Sequence, residues 1–141
     1  LNKLTFLLMF LVLLLTSCQA ANPDMISLDE VVSSFENQQI PIKENKEPRK
    51  DSIFSMKLNG VKPAHYELEG KMLLVYIYKS PEKREKGLQD FHDKTAAMDT
   101  VSYNTYEVKN VLIFYVYEHD MSLKVKFDDA IKEVMSELEG Q

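Results

Sequence analysis

Any chemistry in this chain of 141 residues has to come from three histidines, one cysteine, seven tyrosines and an assortment of serines and carboxylates. His65, His92 and His119 are the candidates for a metal site or a proton-transfer pair, because imidazole both ligates metals and titrates near neutrality. His92 precedes Asp93, and His119 stands between Glu118 and Asp120. No two histidines lie three or four residues apart and no H-E-x-x-H pattern occurs, so no single helix face presents two ligands. No serine sits in a G-x-S-x-G elbow or an S-x-x-K frame, and the four glycines are isolated, which leaves no phosphate-cradling loop. The neighbouring carboxylates Asp128 and Asp129 suit the start of a helix, where negative charge complements the dipole. This pattern points away from an enzyme and predicts neither a metal nor a cofactor.

Cys18 differs from the rest because of what precedes it. Leu4 to Leu15 is an apolar run of twelve residues broken only by Thr5, with Lys3 before it. As a helix it would measure about 18 Å, short of the roughly 30 Å hydrocarbon core of a bilayer. That is the size of a signal-peptide core, and Lys3 supplies the positive end. The closing stretch Leu15-Thr16-Ser17-Cys18 resembles the lipobox of bacterial lipoproteins: an aliphatic residue, two small residues, then a cysteine. The resemblance implies transfer of diacylglycerol to the Cys18 sulfur, cleavage before Cys18, and a mature chain held by lipid on the extracytoplasmic face of the cell membrane. One acyl chain binds a membrane only marginally, whereas two hold a protein stably. The expected division is a cleaved signal peptide over 1–17, a lipidated cysteine and tether over 18–26, and one domain over 27–141.

The tyrosines offer a second kind of chemistry, that of a binding surface. Alternation along Lys71 to Lys79 places Met72, Leu74, Tyr76 and Tyr78 on one face of a strand and Leu73, Val75 and Ile77 on the other. Along 111–117 it groups Val111, Ile113, Tyr115 and Tyr117 against Leu112, Phe114 and Val116. This assigns Leu73, Val75, Ile77, Leu112, Phe114 and Val116 to the sheet face under the two later helices and Tyr76, Tyr78, Tyr115 and Tyr117 to the opposite face, as an amphipathic platform or the lining of a cleft, uses for which tyrosine is well suited. The plainer alternative is that they rim the sheet with their hydroxyls in water.

These residues have to be positioned by a small number of elements. Ser27 with Glu30 three residues on makes a capping box, flanked by Ile26 and Val31 as a hydrophobic staple, and Leu28, Val31, Val32 and Phe35 form one helical stripe. Ile40-Pro41-Ile42-Lys43 reads as a short strand that Pro41 confines to an edge. Residues 44–52 are charged and contain Pro48, hence a loop, and 53–58 is ambiguous between strand and helical turn. His65 to Leu68 and Lys71 to Lys79 predict a hairpin about Glu69-Gly70. Ser80-Pro81 starts a helix running to about Thr95, which Gly87 weakens slightly. Val101 to Val108 and Val111 to Tyr117 form a second hairpin with a turn at Lys109-Asn110, and Ser122 caps a last helix whose Val125, Ile131, Val134, Met135 and Leu138 face the core. The expected fold is α+β: an antiparallel sheet of about four strands with helices on one face, a ferredoxin-like βαββα core and an added N-terminal helix.

Composition is consistent with one ordinary globular domain, at 45% hydrophobic and 28% charged. The net charge of −5 argues against a nucleic-acid partner, which calls for a basic surface. Loss of Lys3 with the leader would take it to −6, so the domain should stand off an anionic bilayer on its tether. The mature sequence is also similar to small uncharacterised lipoproteins of low-GC Gram-positive bacteria. Leu58-Asn59-Gly60-Val61-Lys62-Pro63 through Tyr66, Leu74 to Tyr78, and Asn110 to Tyr115 carry that similarity, which implies no activity. The expected partners are therefore the membrane, through Cys18, and an envelope protein. The alternative is a small ligand in a tyrosine-lined cleft.

Overall fold

The computed structural model describes residues 22, 25–49, 51–118 and 124–141; the expected signal peptide over 1–17, Cys18, His119 and Ser122 lie outside the described residues. Ahead of the first helix, Met25 N–H donates to Asn22 C=O at 2.9 Å. Helix α1 (Leu28–Asn37) then begins with the reciprocal capping box. Ser27 Oγ accepts from Glu30 N–H at 3.3 Å, and Glu30 Oε2 accepts from Ser27 N–H at 2.7 Å. The Ser27 hydrogen bonds hold the Glu30 carboxyl below its usual pKa, as expected for a carboxylate that caps while charged. Ile26, Val31 and Phe35 are buried in one cluster, so the first helix belongs to the fold. Ile26, directly before the cap, is part of that buried cluster.

Five strands follow in one antiparallel sheet: β1 (Ile42–Glu44), β2 (Ala64–Leu68), β3 (Lys71–Ile77), β4 (Ser102–Val108) and β5 (Val111–Glu118). Their order across the sheet is β1-β2-β3-β5-β4. The sheet thus has one strand more than the expected four, because the short edge segment after Pro41 pairs with β2 from Ile42 onward, past the residue that lacks an N–H. Glu69 and Gly70, both at positive φ, make the two-residue turn between β2 and β3.

Helix α2 (Pro81–Thr95) connects β3 to β4, and helix α3 (Asp128–Glu139) ends the chain. The helices cover both faces of the sheet and not one. Helices α1 and α3 pack on the face of Leu73, Val75, Ile113 and Tyr115, whereas α2 and a 3-10 turn (Ile53–Ser55) pack on that of Leu74, Tyr76, Leu112 and Phe114. The order β2-β3-β5-β4 keeps β5 between β3 and β4, as a split βαβ connection requires, but the single helical layer of a ferredoxin-like core is not formed. The physical reason is legible in β5, where Val111 to Val116 are all buried. A strand apolar on both faces needs cover on both.

Helix α3 starts later than Ser122 suggests. Phe127 adopts φ +69°, a left-handed conformation that no helix passes through, so Asp128 becomes the first helical residue. Val125 remains partly buried against the core from outside the helix. Among the described residues, no helix is long and apolar enough to cross a membrane.

Candidate functional site

Pairing between β3 and β5 decides the tyrosine question. Leu73 stands opposite Tyr115 and Leu74 opposite Phe114, and residues directly opposite in an antiparallel pair point to the same face. Tyr76 and Tyr78 therefore share a face with Leu112 and Phe114, while Tyr115 and Tyr117 share the other with Leu73 and Val75. The expected continuous platform is not formed, nor is a cleft lined by all four. Alternation within each strand is correct, but the relative phase of two strands depends on register, which a single strand does not reveal. Tyr76, Tyr78 and Tyr115 are also buried, at 0%, 2% and 2% exposure, and Tyr117 is half-buried.

These rings fasten distant segments to the sheet. The Tyr76 hydroxyl lies 2.7 Å from both the Phe54 and Met56 carbonyl oxygens, and the Tyr78 hydroxyl donates to Leu58 C=O at 3.4 Å. Burial pushes both phenols far above their ordinary pKa, with the other ring adding to this at Tyr76 and Asp90 at Tyr78, so both remain protonated donors. The loop from Ile53 to Val61 is thereby held over an aromatic cluster that includes Phe54, Phe91, Tyr103 and Phe114.

Gly87 is part of the same arrangement. A Cβ there would fall on the Tyr78 hydroxyl and ring, well inside contact distance. Helix propensity alone would make Gly87→Ala stabilising by about 1 kcal/mol. The expected result is the opposite sign, a loss of about 1–3 kcal/mol from overpacking, measured by urea unfolding. In a Tyr78→Leu background the same alanine should cost nothing. Stabilisation by alanine in the natural background would contradict this packing.

On the other face, Asp128 gathers the polar side chains. Its Oδ1 accepts from Asn104 Nδ2 at 2.9 Å and Tyr106 Oη at 2.7 Å, and its Oδ2 accepts from Lys132 Nζ at 2.6 Å. Tyr117 Oη donates to Asn104 Oδ1 at 3.4 Å. Lys132, then Tyr106, hold the Asp128 carboxyl below its usual range, while burial and then Asp128 push Tyr106 up. Both carboxylate oxygens are hydrogen-bonded, and the negative charge stands in the first turn of α3, where it complements the helix dipole.

The most enclosed polar residue is Asn110, at 0% exposure, which the sequence marks only as a turn position. Its Oδ1 accepts from Ile26 N–H at 2.7 Å, and its Nδ2 donates to Ile26 C=O and Tyr78 C=O, each at 2.9 Å. Its own C=O accepts from Tyr78 N–H at 2.9 Å. One side chain thus joins the entry of the chain, the end of β3 and the β4–β5 turn.

Two of the three histidines lie among the described residues. His65 lies half-buried in β2, with burial lowering its pKa, and His92 is exposed on α2 beside Phe91. Among the described residues, no group of three or more His, Cys, Asp or Glu side chains could hold a metal ion. The large exposed apolar residues identified among the described residues are Met98 and Val101, in the segment entering edge strand β4. Comparison with protein-family models, curated proteins and solved structures finds no match.

Proposed function

We propose that the chain is a lipid-anchored protein of the extracytoplasmic face of the cell membrane and serves there as a non-catalytic interaction module of the envelope. The observation that carries this reading is Leu15-Thr16-Ser17-Cys18, directly after a twelve-residue apolar run, with the chain's one cysteine at the acceptor position. Two features of the fold support it. Ile26, eight positions after Cys18, is already buried in the core, as expected of a domain tethered by its N-terminus. The polar side chains gathered at Asp128 and Asn110 bond to one another and to backbone, which suits a scaffold better than a reaction centre.

Cys18→Ala should abolish acylation and leave an uncut precursor, because the modification has no other thiol to use. Cells fed radiolabelled palmitate provide the readout: label in the natural protein and none in the variant. Palmitate on the Cys18→Ala protein would overturn the lipoprotein reading.

A further inference from the structure

We infer that the domain is held on the membrane in one orientation: the end of the sheet carrying the β4–β5 turn faces the bilayer and the opposite end faces outward. The inference rests on lipidation at Cys18 and adds to it a direction. Seven residues separate Cys18 from Ile26. Fully extended, these eight steps span at most about 26–29 Å. Ile26 is not free to move away from the domain, since both its peptide N–H and its C=O are bonded to the buried Asn110 side chain. The tether therefore leaves the domain from a fixed point beside the β4–β5 turn, and at the root-mean-square reach of a flexible chain of eight steps, about 14–17 Å, that point stays nearer the headgroups than the far end does.

Register identifies what else lies at this end. Ile77 pairs with Val111, so Lys79 extends beyond the sheet alongside Lys109. Lys83, on the first turns of α2, is fastened there through its carbonyl to Asn59. Opposing these lysines are Asp29, Glu30 and Glu82, with Glu30 engaged in its capping box. In a chain of 17 basic and 22 acidic residues, this end is thus not one that an anionic bilayer would repel strongly.

The far end is separated by the length of β5, whose eight residues span about 24 Å at roughly 3.4 Å per step. It carries the Glu69-Gly70 turn and, at the Ser102–Glu118 pair, the start of β4. The orientation therefore presents Met98 and Val101 to the outside, away from the lipid.

The lipidated full chain, reconstituted in vesicles of phosphatidylcholine and phosphatidylglycerol, allows a direct test. With Cys18 acylated, a thiol introduced by Lys79→Cys or Asp99→Cys is the only one free to take a fluorophore, and both positions are exposed. Headgroup-spin-labelled lipid is the quencher. Quenching should be severalfold stronger at position 79 than at position 99, and a long Gly/Ser insertion after Ala20 should shrink the difference. Equal quenching on an acylated chain, or stronger quenching at 99, would overturn the orientation while leaving the anchor intact. Mass analysis of the same preparation showing an unacylated Cys18 would overturn the anchor, and the orientation with it.

Discussion

Replacing Asn110 with alanine should destabilise the domain by about 3–5 kcal/mol, because it strands several buried polar groups that each cost about 1–3 kcal/mol when left unpaired. The groups are the N–H and C=O of Ile26 and the C=O of Tyr78, all satisfied by this one side chain. Water cannot readily replace it, since Asn110 itself has no exposed surface. The Asn110→Asp variant should also be unstable near neutral pH, where it keeps the acceptor but loses the donor and buries a charge. A buried carboxyl has a raised folded-state pKa, so that variant should regain stability as pH falls through it. Urea unfolding with an unchanged m-value measures both effects, and limited proteolysis should cut the Asn110→Ala protein ahead of α1. A loss below about 1 kcal/mol would mean that the entry of the chain is not held in this way.

Phe35→Ala should cost a comparable amount, about 3–5 kcal/mol, as expected for a fully buried phenylalanine in a core that collapses only partly around the gap. Phe35 is completely buried in the cluster that α1, α3 and the sheet form together. Its ring is what makes the first helix a member of the domain and not an extension of the tether. The measurement is again the unfolding midpoint. A variant as stable as the natural protein would release α1 from the fold, lengthen the tether past residue 37, and remove the reason for a fixed orientation.

The local signals in the sequence translate directly into structure. Ser27 and Glu30 make their capping box, Ser80 and Pro81 start α2, and the two hairpins turn where Glu69-Gly70 and Lys109-Asn110 stand. What the sequence did not reveal is relational. The phase between β3 and β5 sends the tyrosine pairs to opposite faces, and it follows from which residues pair, not from the alternation in either strand. The double cover of the sheet is legible in the unbroken apolar run of β5, which leaves neither face free for water. Asn110 had no signature, because an asparagine in a hairpin turn ordinarily faces water and only the arrival of Ile26 buries it. Gly87 reads as a mild helix weakness until the Tyr78 ring is placed against it. Of the candidate site, Cys18 and the apolar run before it are legible only in the sequence.

The central claim is that this fold hangs from a lipid on Cys18, and the most direct measurement is the mass of the N-terminal peptide from protein extracted from cell membranes. The peptide should begin at Cys18, residues 1–17 gone, with its sulfur carrying a diacylglyceryl group. A membrane-extracted chain that retains residues 1–17, or whose Cys18 is an unmodified thiol, would contradict it.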